Sequence, residues 1–385
     1  MPVTPALLID SFRKQFDGDR TPALYRAPGR TNLIGEHTDY CLGFVLPVAL
    51  DLGCYVATAP ASHGLLRVYS ANLGQAREFP VEGLAGIEPA RDWGDYVAGV
   101  AREVLRLGDP LSARDILIHS TVPVGSGLSS SAALEVSTAL ALLDGRPIQP
   151  LDLALLCQRA EREFVGMPCG IMDQYVSVFA QQGSAVKIDC RSLENTIVPL
   201  PDNVAIFAVN TMVKHELSGS AYRDRVRECA EAVSALQTRF PEVKSLRDAT
   251  PAMLEAAASA IPPVPCRRAR HVVSENARVE AFEEASRRGD LKAMGELFTA
   301  SHRSLQHDYE VSCEELDFLV GTALGLDGVF GARMTGGGFG GCTVNLVRPD
   351  AAGAFRVALA ARYRERYGLT PEFYECRPSA GAGRF

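Results

Sequence analysis

The apolar and polar positions along this chain follow two periods. Apolar residues three or four positions apart predict helices near the start of the chain and over residues 96–107 and 151–164. β-Branched and apolar runs predict strands at residues 23–25, 44–57, 115–122 and 204–209. Helices and strands therefore mix along the whole length, and the pattern indicates an α+β protein.

Proline and glycine mark the points where these segments are interrupted. PLPDN at residues 199–203 separates two strand-like runs and predicts a domain boundary, with an N-terminal domain of residues 1–200 and a C-terminal domain of residues 201–385. A length of 385 residues is enough for two domains. The proline-rich IPPVPC at residues 261–266 predicts a loop.

Composition argues against several classes of protein. With 47% hydrophobic and 22% charged residues the chain is typical of a globular protein, and its formal net charge of −7 gives no broad attraction to nucleic acid. No run of about 18 apolar residues predicts a membrane span, and the first apolar run is too short for a signal peptide. The ten cysteines include no CxxC pair, so neither a zinc site nor a disulfide framework is indicated. We expect a cytoplasmic protein that binds neither nucleic acid nor membrane.

The first of three polar blocks is RTNLIGEHTDY at residues 30–40. Glu36, His37 and Asp39 follow a glycine hinge at Gly35 and precede an apolar run. Carboxylates and an imidazole supply the acceptors and donors that hydroxyl groups need. This block predicts a binding site for a neutral polyol.

The second block is PVGSGLSSSAALEV at residues 123–136, between a predicted strand and a predicted helix. Gly125 and Gly127 let the backbone approach a ligand closely, and the serines after them begin the helix, whose free N–H groups face the loop. A P-loop is excluded because no Gly-Lys-Ser/Thr follows the glycines. The block predicts a phosphate-binding loop for an anionic nucleotide, with Arg30 and Lys214 as candidate cations.

The third block, TGGGFGGCTVNLV at residues 335–347, is a glycine-rich turn before a strand pattern. In this order the three blocks resemble the motifs of the GHMP small-molecule kinases, and residues 30–40 with CGIMDQ at residues 169–174 resemble the galactokinase branch of that family. RRARHVV at residues 267–273 and HRSL at residues 302–305 extend the resemblance over nearly the whole chain. It implies a two-domain GHMP kinase architecture, with a ribosomal-S5-like N-terminal domain, a ferredoxin-like C-terminal domain and the site between them.

Asp173 is the predicted general base for phosphoryl transfer from ATP to a sugar hydroxyl. It is the only ionisable residue of CGIMDQ and lies between apolar neighbours. The resemblance implies that Arg30 lies beside this base and stabilises charge in the transition state.

The resemblance also implies a divalent metal, Mg²⁺, bound together with ATP. One hydroxyl and one carboxylate suffice for a hard cation that keeps several waters, and Ser131 and Glu161 fit the family pattern. Ser130 is the alternative hydroxyl. Glu163, two positions beyond Glu161 on the same predicted helix, points to another face.

The other site residues are implied by their places in the matching motifs. The sugar-binding set comprises Glu36, His37, Asp39, Gly170, Asp173 and Tyr222. The ATP-binding set comprises Gly125, Ser126, Gly127, Leu128, Ser129, Ser130 and Ser131, with Trp93 either beside the adenine or in the core.

Two alternatives to a galactose-specific kinase remain open. Cys41 follows DY where galactokinases usually have Asn-Gly, as in N-acetylgalactosamine kinase relatives, whereas the bulky Cys169 and Ile171 favour galactose. Non-catalytic, galactose- and ATP-binding transcriptional inducers resemble the family but have lost part of the serine run, which is complete here from Gly127 to Ala133. We expect an enzyme, monomeric or weakly dimeric, that phosphorylates the anomeric hydroxyl of α-D-galactose in the first committed step of galactose catabolism.

Overall fold

The computed structural model describes residues 3–16, 18–108, 110–214 and 218–385. Its α-helices are α1 (Pro5–Phe16), α2 (Gly94–Leu105), α3 (Ser130–Leu143), α4 (Pro150–Arg159), α5 (Met172–Phe179), α6 (Ser218–Gln237), α7 (Pro251–Ala256), α8 (Pro263–Arg288), α9 (Leu291–Ser304), α10 (Glu314–Leu324) and α11 (Ala352–Tyr367). Short 3-10 helices lie at Asp39–Cys41, Leu84–Gly86, Leu246–Asp248 and Pro349–Ala351, and π-helical turns at Ala160–Val165 and Leu305–Tyr309.

The strands form three sheets within the described residues. They are β1 (Ala23–Asn32), β2 (Phe44–Val45), β3 (Pro47–Pro60), β4 (Leu65–Ser70), β5 (Gln75–Pro80), β6 (Arg114–Ser120), β7 (Ser184–Asp189), β8 (Asn195–Pro199), β9 (Ala205–Lys214), β10 (Val329–Met334), β11 (Gly340–Val347), β12 (Glu372–Glu375) and β13 (Gly383–Arg384). The helices and strands predicted from the periodic patterns are present, although β1 extends seven residues beyond its predicted end. The strand predicted at residues 44–57 is divided into β2 and β3, and the helix predicted at residues 151–164 is α4 followed by a π-helical turn.

The largest sheet carries the first motif on one of its strands. Its order is β13-β1-β3-β6-β4-β5, and its neighbouring strands are antiparallel except for β4 and β6. α2 and α3 pack with it around a buried apolar core to which Val97, Val100, Ala133 and Val136 contribute. Because α3 lies against β1, the serine run at the start of α3 comes close to Arg30 near the end of β1.

The second sheet has the topology that the resemblance implied for the C-terminal domain. Its order is β10-β11-β9-β12, and all of its strand pairs are antiparallel. Numbered along the chain and read from β12, the strands follow the order 4-1-3-2, with helices between the first and second and between the third and fourth. This is the βαββαβ arrangement of ferredoxin-like folds. The predicted α+β class is confirmed.

The loop predicted at residues 261–266 is wrong for its last four residues, because α8 begins at Pro263. Proline is tolerated in the first turn of a helix, since the backbone N–H that it lacks has no partner inside the helix there. The proline-rich composition therefore marks the start of a long helix.

The predicted domain boundary at residues 199–203 lies between β8 and β9 and stays a prediction. Contacts cross it, because β13 pairs with β1 at the edge of the first sheet. None of the helices in the described ranges combines the length and the apolar character that crossing a membrane requires.

Candidate active site

An ion pair between β1 and α5 forms the centre of the site. Arg30 donates from Nε and Nη2 to the two carboxylate oxygens of Asp173, at 2.8 Å each. Its Nη1 donates to the carbonyl of Gly127 at 2.6 Å, and the hydroxyl of Ser129 donates to Asp173 as well. A bidentate arginine fixes the orientation of a carboxylate. The predicted base is thus held in one position beside the predicted phosphate loop.

Asp39 and Gly170 lie in contact and line the same cavity as this ion pair. A Cβ atom at position 170 would stand 1.7 Å from Oδ2 of Asp39, so only glycine allows this approach. Asp39 keeps some solvent exposure, but protein surrounds its carboxylate, and burial raises its pKa to about 6. At neutral pH Asp39 is therefore mainly an ionised acceptor.

His37 is part of an aromatic wall. Its Nε2 donates to the carbonyl of Gly337 at 3.2 Å, and its Nδ1 bonds the hydroxyl of Tyr40 at 2.9 Å. Its ring centroid lies 5.6 Å from that of Tyr222 and 4.9 Å from that of Tyr309. Burial lowers the pKa of His37 to about 3, so the imidazole is neutral at physiological pH.

Protein donors already occupy the carboxylate of Glu36. It accepts from the Thr335 hydroxyl at 3.0 Å, from the Gly336 N–H and from the Asn32 side chain, and it lies 3.5 Å from Nη2 of Arg333. Burial raises its pKa although the Arg333 charge opposes this. A carboxylate offers about four acceptor sites, so Glu36 serves in large part to join the first motif to the third.

The predicted phosphate loop is built from unusual backbone angles. Gly125 and Gly127 have φ of 74° and 80°, and Ser129, which is not a glycine, has φ of 60°. α3 begins at Ser130 as predicted, and no side chain caps its first turn, since the Ser129 hydroxyl is bonded to Asp173. The first N–H groups of a helix without such a cap are available to an anion.

The buried residues of this loop face inward. Ser126 donates its hydroxyl to the carbonyl of Pro123 at 2.9 Å, and the carbonyl of Leu128 accepts the backbone N–H of Arg30 at 3.0 Å. Leu128 itself is fully buried. Ser126 has no solvent exposure either, so neither side chain is accessible to a ligand in this conformation.

The Ser131 hydroxyl at the start of α3 interacts with Glu161 on the π-helical turn after α4. Glu161 is 7% exposed, and its pKa is raised by burial and by the charge of Asp173. Glu163 instead faces solvent and pairs with Arg106 at 3.0 Å. Glu161 lines the same cavity as Asp173 and Arg30, and its oxygen donors together with the Ser131 hydroxyl suit a hard divalent metal.

No group of three histidine, cysteine or acidic side chains suited to a metal occurs in the described part of the chain. A cation at Ser131 and Glu161 would thus take its remaining ligands from water and nucleotide phosphates.

A cavity of about 250 Å³ lies beside the Arg30–Asp173 ion pair and the first motif, and residues 125–131 of the phosphate loop do not line it. It is smaller than the roughly 300–1,000 Å³ of pockets for drug-sized molecules, which suits one small substrate. A larger cavity of about 550 Å³ near α3 and α4 contains none of the predicted site residues. The predicted residues that line the 250 Å³ cavity are Arg30, Glu36, His37, Asp39, Glu161, Gly170, Asp173 and Tyr222.

Other residues singled out from the sequence lie elsewhere. Trp93 precedes α2, packs half-buried against the main core and donates its indole N–H to Gln75 at 3.0 Å. Cys41 and Ile171, which bore on the choice of sugar, are core residues, whereas Cys169 lines the cavity. The side chain of Lys214 lies outside the described residues.

Sequence reasoning missed two buried polar residues behind the site. Gln174 donates to Glu135 at 2.9 Å and to Glu161 at 2.6 Å. Glu135 is the only ionisable residue of α3. A single carboxylate in a largely apolar helix could have indicated a functional residue from the sequence. Its pKa is raised well above the ordinary value by burial and by the charge of Glu161.

Comparison with known proteins identifies the family. The chain matches the galactokinase galactose-binding signature at residues 10–60, the GHMP kinases N terminal domain at residues 95–181 and the GHMP kinases C terminal domain at residues 281–365. It is 44% identical to a galactokinase of Roseiflexus sp. (strain RS-1) over 373 residues, which cover 96% of this chain and 95% of that protein. The chain belongs to the galactokinase family of GHMP kinases. The Homo sapiens galactokinase is 44% identical over 382 residues, with 97% and 94% covered.

Solved structures agree with the assignment to the galactokinase family. The Lactococcus lactis galactokinase complexed with galactose superposes with a TM-score of 0.94 at 34% identity, covering 99% of each chain. A mevalonate kinase, with a TM-score of 0.66 at 17% identity over 92% of this chain and 98% of that one, shares the fold. As a galactokinase family member, the chain is a sugar kinase.

Proposed function

We propose that this sugar kinase transfers the γ-phosphoryl group of ATP to the anomeric hydroxyl of α-D-galactose, giving galactose 1-phosphate and ADP. The reaction is the first committed step of galactose catabolism. The observation that carries the proposal is the position of Asp173, which lines a small cavity together with the polar residues of the galactose-binding signature.

Asp173 acts as the general base. One of its carboxylate oxygens accepts the proton of the 1-hydroxyl while the sugar oxygen bonds to phosphorus and the bond from phosphorus to the departing ADP oxygen breaks. Arg30 holds the carboxylate through two hydrogen bonds and brings positive charge next to the transferred group. Ser129 adds a third hydrogen bond to the base.

We assign the sugar to the side of the cavity that carries the first motif. Asp39 accepts hydroxyl hydrogen bonds, and the backbone of Gly170 is within reach of the same ligand because no side chain covers it. His37, as neutral imidazole, and Tyr222 form the aromatic wall. Glu36 contributes whatever acceptor capacity its protein partners leave.

We assign the nucleotide to the phosphate loop. The backbone of Gly125, Ser126, Gly127, Leu128, Ser129 and Ser130 and the first turn of α3 bind the phosphates, and Trp93 flanks the adenine. Ser131 and Glu161 hold Mg²⁺, which supplies neutralising charge on the phosphate oxygens when bound.

A sugar panel with the purified protein tests the substrate. We expect ADP release, measured by a coupled assay, to be fastest with galactose and slower by several orders of magnitude with glucose, because buried polar groups reject an analogue that leaves them unpaired. Equal rates on glucose and galactose would contradict the proposal. Faster turnover of N-acetylgalactosamine would reassign the enzyme, and sugar binding without turnover would indicate an inducer.

We further propose that the protein works in the cytoplasm as a monomer or weak dimer. All ten cysteines are free thiols, which suits a reducing compartment. Light scattering across a concentration series tests the oligomeric state, and cell fractionation tests the compartment.

A further inference from the structure

A buried hydrogen-bonded link connects Glu161 to a second carboxylate behind the cavity. The side-chain nitrogen of Gln174 donates to Oε2 of Glu161 at 2.6 Å and to Oε2 of Glu135 at 2.9 Å. Gln174 and Glu135 have no solvent exposure, and neither lines the cavity. They therefore act on a ligand only through Glu161.

Each member of the link belongs to an element that carries one part of the site. Glu135 lies on α3, whose first turn contains Ser131. Gln174 follows Asp173 at the start of α5, and Glu161 lies on the π-helical turn after α4. One amide group thus ties together the elements of the phosphate loop, the base and the metal carboxylate.

A glutamine suits this position for a simple chemical reason. Its amide nitrogen carries two N–H groups and no charge, so it can donate to two carboxylates at once. A lysine or arginine here would compete with a metal ion for Glu161, and an acidic residue would repel both neighbours. Hydrogen bonds to a metal-binding carboxylate fix its orientation, and their loss typically lowers metal affinity about ten- to a hundredfold.

We propose that Gln174 and Glu135 are positioning residues for the metal–nucleotide complex: Gln174 orients the Glu161 carboxylate, and Glu135 orients the Gln174 amide. The proposal rests on the assignment of Glu161 to the metal in the proposed function. It does not depend on which sugar is phosphorylated.

Calorimetric titration with ADP and Mn²⁺, in the absence of sugar, tests the link in the full-length protein. Gln174→Met keeps the volume and removes both donors, and we expect Mn²⁺-dependent ADP binding to weaken ten- to a hundredfold. The affinities for galactose and for ADP without metal should stay within about threefold of those of the parent, because neither ligand then binds through a cation at Glu161. Gln174→Asn, whose shorter side chain cannot reach both carboxylates, should weaken Mn²⁺-dependent binding in the same direction.

Variants of Glu135 distinguish positioning from a general effect on folding. Glu135→Gln keeps an acceptor oxygen for Gln174 and should bind Mn²⁺–ADP within about threefold of the parent, whereas Glu135→Leu removes the acceptor and should bind more weakly. The double variant with Glu135→Leu and Gln174→Met should bind Mn²⁺–ADP no more weakly than Gln174→Met alone, because both substitutions break the same hydrogen-bonded link.

Ser177→Ala is the matched control on the same helix. Ser177 is buried and donates to the Pro28 carbonyl at 2.9 Å, so its loss should lower the melting temperature without changing Mn²⁺–ADP affinity. Parent-like Mn²⁺–ADP affinity in Gln174→Met and Gln174→Asn would overturn the proposal, as would an equal loss in Ser177→Ala. A parent protein that binds Mn²⁺–ADP through this link but leaves galactose unphosphorylated would instead overturn only the proposed substrate.

Discussion

The proposed sugar side, at the cavity, and the proposed phosphate side, at the loop before α3, are built in opposite ways. On the sugar side, buried side chains are bonded to one another: His37 to Tyr40 and Gly337, and Glu36 to the third motif. On the phosphate side the loop is formed by backbone in left-handed conformations, and its tip residue Val124 is 80% exposed.

The difference follows from what each side recognises. Neutral hydroxyl groups are distinguished only by donors and acceptors fixed in direction, which requires side chains that packing holds still. An anionic phosphate is attracted by helix N–H groups and a metal, and these need little from side chains. Substitutions on the sugar side should therefore alter galactose affinity, and those on the phosphate side should alter nucleotide and metal dependence.

The largest effect is expected where the two sides meet, at Asp173. Asp173→Asn keeps the shape of the side chain but removes the proton acceptor, so turnover should fall on the order of a hundred- to ten-thousandfold. Calorimetry should find galactose and ATP still bound, which controls for misfolding. Turnover within about threefold of the parent, with both ligands bound, would show that positioning by Arg30 and the metal suffices.

Gly170→Ala tests whether galactose binding depends on the close approach of Gly170 to Asp39. The new Cβ would meet the Asp39 carboxylate at 1.7 Å and force it to move. Because a displacement of about 1 Å can cost roughly a hundredfold, we expect kcat/KM for galactose to fall by that order while the KM for ATP changes little. Gly321→Ala, at an open position on α10, is the control. Parent-like galactose kinetics would mean that Asp39 does not bind the sugar.

On the phosphate side, Ser131→Ala and Glu161→Gln should each raise the Mg²⁺ concentration for half-maximal rate, by about tenfold or more. Galactose affinity should remain near that of the parent. Ser130→Ala is the matched control, because the hydroxyl of Ser131 and not that of Ser130 affects the pKa of Glu161. A larger shift in Ser130→Ala than in Ser131→Ala would exchange their assignments.

The pH dependence should also differ between the two sides. Burial raises the pKa of Asp39 from 3.8 to about 6, so its acceptor form is present above pH 6 and is lost as the pH falls through that value. We expect kcat/KM for galactose to drop about tenfold from pH 7 to pH 5, whereas the affinity for metal-free ADP, which involves neither Asp39 nor a cation at Glu161, should not fall in this range. The His37 pKa of about 3 excludes that group as the source. The fall of kcat/KM at low pH should be absent in Asp39→Asn. A fall that persists in this variant comes from the titration of another group.

The smallest effect concerns Trp93, the single tryptophan of the chain. If it flanks the adenine as proposed, ADP and not galactose should change its fluorescence. Trp93→Leu should then raise the KM for ATP roughly three- to tenfold, the range of one aromatic contact. Unchanged emission and KM, with a lower melting temperature, would leave Trp93 as a core residue.

Much of this molecule could be predicted from local sequence, because periodic patterns and glycine positions report local backbone structure. The start of α3 at the serine run is an example, whereas the ferredoxin-like fold of the second half was implied by the resemblance to the family. The π-helical turn at Ala160–Val165 could not be predicted, since one extra residue in a turn leaves the apolar spacing nearly unchanged.

Contacts between side chains that are distant in sequence could not be predicted either. Gln174 and Glu135 are 39 positions apart, and only the packing of α5 against α3 brings them together. Ser129 was assigned to the nucleotide from its motif, yet its hydroxyl is bonded to Asp173. A motif predicts which backbone segment forms a site, whereas the direction of each side chain depends on neighbours that the motif does not contain.

The pairing of β13 with β1 has a consequence for biosynthesis. Residues 383–384 complete the edge of a sheet whose other strands are all made within the first 120 residues. At roughly 5–20 residues per second, β1 waits on the order of 20 to 70 s for this partner. During that time a nascent chain exposes the edge of the strand that bears Arg30, which is a surface for chaperones or aggregation.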